Sequence, residues 1–267
     1  MRREPDPAAA GRPSAAAVAT TTVATFLLVE FGRPYLQAML GIPTGPYHGL
    51  ADLVLRHYTW YWLPPVAVAW ALFGRRRTVN ALGLDRSPLL GLGVAGLCTL
   101  PMLVGFAALG QASPGAQPWS DAVRYALLPG CMEEILFRGM LFGFLFRFAG
   151  WGFLPAAMLG AAFFGAGHLW QGHSAGEAAG VFAVTALGAV WFAWLYVEWR
   201  ANLWVPIGFH VLMNLWWDRF AMGESALGGG VANVFRTATI GLSVWLTLAR
   251  ARRHGGLVVR GRRWLRG

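Results

Sequence analysis

Eight long apolar runs, separated by short polar stretches, organise this chain. They cover residues 15–32, 57–73, 88–110, 121–146, 151–170, 177–198, 203–217 and 230–249. A bilayer core about 30 Å thick needs roughly 20 mostly apolar residues in a helix, so these runs predict about eight transmembrane helices. The second and seventh are short and contain Pro64, Pro65 and Pro206, and the eighth contains Arg236. Within 44–56, Leu50, Leu53 and Val54 share one face with Asp52 and Arg56 off it, the pattern of a short interfacial helix. No internal repeat, low-complexity block or linker divides the chain. The expected fold is therefore all-α, a polytopic membrane helix bundle forming one domain over 1–267, with a motif-bearing core at about 120–220 and a basic cytoplasmic tail at 250–267.

Composition agrees with that pattern. The 267 residues are 56% hydrophobic and only 13% charged, whereas a soluble domain carries about a quarter charged residues. A soluble enzyme, a disordered chain and a disulfide scaffold are excluded on that ground. The two cysteines, Cys98 and Cys131, lie inside apolar segments and read as small buried hydrophobes. The formal charge is +10, and every basic residue is arginine. Because the arginines sit between apolar runs, loop ends and anionic lipid headgroups explain them better than nucleic acid does.

Orientation follows from the same residues. Arg2, Arg3, Arg12, Arg75–Arg77, Arg86, Arg147, Arg200 and the tail arginines fall on one side of an eight-span chain, leaving Arg33, Arg56, Arg124 and Arg219 on the other. The positive-inside rule then places both termini in the cytoplasm. Arg2 and Arg3 before an apolar stretch resemble a signal peptide, but no small-residue cleavage site follows, so a retained first span is expected. The all-arginine, Ala/Gly-rich composition suggests a GC-rich bacterial genome and hence a bacterial plasma membrane. The expected partners are a peptide or protein substrate and anionic lipid headgroups at the arginine-rich tail, with no nucleic acid.

Ionisable side chains inside spans are costly and point to function. The fourth run carries Glu133, Glu134 and Arg138. Glu134 and Arg138 are one helical turn apart and should pair, while Glu133 points about 100° away. One carboxylate thus reads as structural and the other as free for general-base chemistry. The fifth run carries Phe164 and His168, and the seventh His210 and Asn214, each pair on one helix face. A base, two imidazoles and a carboxamide in a water-poor site suit hydrolysis of an amide. The base takes a proton from water while the other groups orient it or stabilise the oxyanion.

These three motifs, in this order and each in its own helix, resemble the CPBP family, which includes type II CAAX prenyl endopeptidases and bacterial relatives linked to bacteriocin self-protection. The resemblance covers about residues 120–220 and implies an intramembrane endopeptidase. It implies that Glu133 activates water, that His168 positions it and that His210 and Asn214 form the oxyanion site. Glu134, Arg138 and Phe164 are then supporting residues. The family has been described both as metalloproteases and as metal-independent glutamate proteases. No His-Glu-x-x-His helix is present, so the glutamate route with no cofactor is expected, and a zinc on His168, His210 and Glu133 is the metal alternative. A proton-coupled carrier, or a non-catalytic scaffold or immunity protein, are the rival classes. Gly172-His173-Ser174-Ala175-Gly176 matches a serine nucleophile elbow but lacks the strand that motif requires, and is expected to be a local cap formed with Glu177.

Overall fold

The structure is a computed structural model that describes residues 13–110 and 118–266. Arg2, Arg3 and Arg12, invoked above for orientation, lie outside the described residues. The described residues form helices and no strand, with one isolated bridge between Trp151 and Arg266. In chain order the helices are α1 (Ala15–Met39), α2 (50–73), the short α3 (Thr78–Leu82), α4 (Pro88–Leu109), α5 (118–147), α6 (Phe153–Ala166), α7 (Ala175–Glu198), α8 (Trp204–Arg219) and α9 (Gly230–Arg253). Every apolar run of the sequence falls on one of the eight long helices.

Among the described residues, five helical segments are long and apolar enough to cross a membrane: Ala15–Met39, Pro88–Leu109, Phe153–Gln171, Ala175–Glu198 and Gly230–Arg253. The other three fall short of eight for chemical reasons. Helix α8 has 16 residues, α5 carries Glu133, Glu134 and Arg138, and α2 opens with Asp52, Arg56 and His57. The interfacial helix expected at 44–56 is not separate, since its helical part begins at Leu50 and runs without a break into α2.

Local chemistry sets the boundaries. Ser87 caps α4 by accepting the Leu90 N–H, and Pro88 occupies the first turn, where no backbone donor is needed. Asn202 Oδ1 accepts the Trp204 N–H at the start of α8. Close approach relies on small residues, as expected where lipid supplies no hydrophobic drive between helices. Gly91 lies against the Trp204–Val205 backbone and Gly208 against Ala95, which lets α4 and α8 pack closely. Gly83 has φ +80° and sits where a Cβ would collide with the Ala201 carbonyl oxygen, so only glycine fits.

Helix α5 lies at the centre, touching α1, α2, α6, α7 and α8. It is not a regular α-helix. Ala122–Leu127 and Ile135–Phe142 are π-helical, flanking the α-helical Leu128–Glu134. Two more π-helical turns occur in α1 (Leu28–Gly32) and α2 (Val54–Tyr58). Such turns concentrate at functional sites because they re-aim side chains and loosen backbone acceptors.

Candidate active site

The two neighbouring glutamates of α5 have different surroundings. Glu134 is 0% exposed and Arg138 is 2% exposed. Arg138 Nη1 donates to Glu134 Oε1 at 2.9 Å, the pair expected from their spacing. The guanidinium is walled by aromatic rings, 4.7 Å from the Phe164 centroid and 5.3 Å from that of Phe192, so ring faces supplement the ion pair. From α8, His210 Nδ1 comes within 2.8 Å of the same Glu134 oxygen. A carboxylate only accepts, so Nδ1 carries the hydrogen and Nε2 is left for other work.

Glu133 takes part in none of these short contacts. Its Oε2 faces His210 Nε2 at 3.9 Å, beyond hydrogen-bond length. That oxygen is buried and without a hydrogen-bond partner, as are Glu134 Oε2 and Arg138 Nη2. Buried polar atoms are normally satisfied, and exceptions in one cluster require an explanation. Here three orphaned atoms belong to adjoining side chains.

His168 lies just past the end of α6, before a 3-10 turn at Leu169–Gln171, rather than in mid-helix as the apolar run implied. Its ring is fixed in two ways. Nδ1 is 2.7 Å from the Phe164 carbonyl oxygen, so it donates there and leaves Nε2 as an acceptor. The ring also lies 4.6 Å from the Phe164 ring. Phe164 is 6.1 Å from His210 as well, so it stands between the two imidazoles. Asn214, one turn above His210, donates from Nδ2 to the Tyr125 carbonyl oxygen at 3.3 Å. That carbonyl belongs to the π-helical turn Ala122–Leu127. The structure therefore brings Glu134, Arg138, Phe164 and His210 into one cluster with Glu133 3.9 Å from His210, reaches His168 through Phe164, and ties Asn214 to α5 one level higher.

Several residues outside the motifs differ from simple expectation. Glu30 and Arg33 are near neighbours in the chain, but Arg33 Nη1 donates to His57 Nδ1 at 3.1 Å rather than forming an ion pair with Glu30. Glu198, although only two residues from Arg200, is buried and accepts the backbone N–H groups of Val258 and Val259 at 2.8 and 2.9 Å. The basic tail is thereby clamped to the end of α7. Ser174 caps α7 by accepting the Glu177 N–H at 3.2 Å while Glu177 accepts the His173 N–H at 3.0 Å, a local helix cap. Among the described residues no group of three or more His, Cys, Asp or Glu is placed to hold a metal ion.

A family model described as type II CAAX prenyl endopeptidase Rce1-like matches residues 115–216. Residues 115–216 are thus similar to that family. The match spans α5 to α8 and agrees with the resemblance read from the motifs. No curated protein and no solved structure matches the chain.

Proposed function

We propose that the chain is an intramembrane endopeptidase in which Glu133 activates the attacking water. The observation that carries this reading is the unpartnered, buried Glu133 Oε2 facing a histidine whose other nitrogen is held by a second, neutralised carboxylate. Water gives its proton to Glu133 as its oxygen attacks the scissile carbonyl. His168 Nε2, a free acceptor, orients the second hydrogen of that water. Glu133 passes the proton to His210 Nε2, forming an imidazolium that Glu134 stabilises through Nδ1, in the manner of an acid–histidine pair. That imidazolium and the Asn214 amide are the donors for the oxyanion. Collapse breaks the C–N bond, and the proton leaves on the amine. Arg138 stays hydrogen-bonded to Glu134 throughout. The steps use protein groups and water alone.

We assign the substrate as a protein or peptide presented at the membrane, with a lipidated C-terminal region as the class the family suggests. Arg252, Arg253, Arg260, Arg262 and Arg263 are exposed on the clamped tail, which suits anionic headgroups of a cytoplasmic leaflet and termini on that side. Cleavage of a membrane-tethered reporter peptide, prenylated or not, by the protein reconstituted in vesicles tests the reading. Glu133→Gln should lower turnover by about 10²–10⁴, the usual worth of a general base, with unchanged thermal stability. Wild-type turnover in that variant would overturn the assignment.

A further inference from the structure

The start of α1, the end of α2, the short α3 and the end of α5 meet around a cavity of about 730 Å³. Small-molecule sites span roughly 300–1,000 Å³. Arg147, at the cavity's edge, closes α5 on the order of 20 Å from Glu133, at ~1.5 Å of rise per residue. The cavity is therefore separate from the candidate active site. Its wall is apolar, lined by Val18 of α1, by Leu72 and Phe73 of α2, and by Phe148 just past α5. The Phe73 ring packs on those of Phe144 and Phe148, with centroids 5.1 and 4.5 Å away.

The rim of the cavity is cationic. Arg77, Asn80 and Arg147 line it, and Arg75 and Arg76 are exposed beside Arg77. Arg147 is held firmly. Its Nη1 donates to the Ala81 carbonyl at 2.6 Å and to the Tyr196 hydroxyl at 2.7 Å, and its Nη2 to the Asn80 carbonyl at 3.2 Å. The guanidinium also lies 4.8 Å from the Phe148 ring centroid. All three acceptors are neutral, so the group is fixed in place while its charge stays unbalanced. Among the described residues no carboxylate pairs with Arg147 or with Arg75–Arg77. Asp85 accepts from Asn80 Nδ2 at 2.7 Å and lies 3.7 Å from Arg86. A half-buried cation without a counterion is costly, and an anion that joins it relieves that cost.

We propose that this cavity binds an anionic phospholipid, with its phosphate on Arg77 and Arg147 and an acyl chain along the Val18, Phe73 and Phe148 wall. Guanidinium groups give phosphate strong charge-assisted hydrogen bonds, and basic pockets between membrane helices hold such headgroups. The apolar wall selects a lipid over a free phosphate, which has nothing to cover Leu72 and Phe73. Three helix ends border the cavity, so the lipid ties α1 and α2 to α5. The site uses no peptidase chemistry and stands or falls separately from the glutamate mechanism.

Full-length protein in a neutral detergent, titrated with acyl-labelled phosphatidylglycerol or phosphatidylcholine, provides the test. Wild type should bind phosphatidylglycerol at least about tenfold more tightly, since each arginine near an anionic headgroup is worth about a factor of five. Arg77→Gln should weaken phosphatidylglycerol about fivefold and leave phosphatidylcholine unchanged. Ala71→Trp, which fills the cavity, should weaken both lipids. Ala71 and Arg77 are exposed and line the cavity, so neither change removes core packing. Arg147 is left intact because it also holds Ala81 and Tyr196. Equal affinity of wild type for the two lipids overturns the proposal, as does unchanged phosphatidylglycerol affinity in either variant. Glycerol phosphate, the headgroup without chains, should fail to displace the lipid at equal concentration. Displacement there makes this an anion site only and overturns the lipid assignment. The combined variant Arg260→Gln, Arg262→Gln, Arg263→Gln should keep the preference, and its loss there with Arg77→Gln unaffected moves the headgroup to the tail and overturns the site.

Discussion

Asp52–Arg56 and Glu134–Arg138 are the same device in sequence, an acid followed one turn later by an arginine, and they do different work. In α2, Arg56 Nε donates to Asp52 Oδ1 at 2.6 Å, Nη1 to the Pro43 carbonyl at 2.6 Å and Nη2 to the Pro46 carbonyl at 2.7 Å. Every part of that guanidinium fork has an acceptor, and its product is a stapled loop at the helix start. In α5, Arg138 bonds Glu134 with one nitrogen, keeps another unpartnered and lies among phenylalanine rings. Its carboxylate partner spends the shared oxygen on His210 as well. Saturation fits a structural pair, and incomplete satisfaction beside a second acid fits the reactive role proposed for the other.

The comparison breaks most visibly at Glu134. Glu134→Ala leaves Arg138 charged and buried without its partner, which costs on the order of 3–5 kcal/mol. Thermal unfolding in detergent micelles should show a large fall in Tm together with loss of cleavage. Replacing both residues, Glu134→Gln with Arg138→Met, should recover much of that stability without recovering turnover, because His210 loses the carboxylate behind it. Recovery of turnover by the double variant would place the pair outside the chemistry.

A smaller effect is expected at the other pair. Arg56→Gln frees the carbonyls of Pro43, Gly45 and Pro46, so limited proteolysis should cut the 41–49 loop sooner while reporter cleavage stays at the wild-type rate. The smallest effect is in pH. Hydrogen bonds from Arg56, and then from the His48 backbone, hold the Asp52 carboxyl below its ordinary range. A lowered value contributes stability that is present above the usual carboxylate range and lost as pH falls through the lowered value. Protection of the 41–49 loop should therefore persist through mildly acidic pH and disappear only in stronger acid, and Asp52→Asn should remove that acid step. An unchanged step in Asp52→Asn would assign it to another group.

Much of the local detail was legible without coordinates. All eight apolar runs became helices because helix formation in apolar segments satisfies backbone groups within the segment itself. The Glu134–Arg138 pair and the His210–Asn214 face follow from helical periodicity alone. The helix cap at Ser174 and Glu177 was readable for the same reason. Other features were not. The π-helical turns of α1, α2 and α5 have no composition of their own, so the re-aimed Tyr125 carbonyl that receives Asn214 could not be foreseen. The apolar run 151–170 hid the end of α6, and His168 reads as mid-span because Leu169 and Trp170 are as apolar as the helix they follow. Glu198 sits near Arg200 in sequence, but its hydrogen-bond partners are far away along the chain, in the tail.

Sequence alone determined an all-α, membrane-suited chain, the ionisable side chains its apolar runs carry, and which of them share a turn of helix. These properties depend on composition and on a 3.6-residue period. Tertiary packing decided which acid–arginine pair is buried among rings and which staples a loop, and that His210 backs onto Glu134 while facing Glu133. Such outcomes depend on how separate helices are set against one another, through contacts such as Phe26 on Phe137 and Gly208 on Ala95. Those contacts join residues far apart in the chain, and no local pattern encodes them.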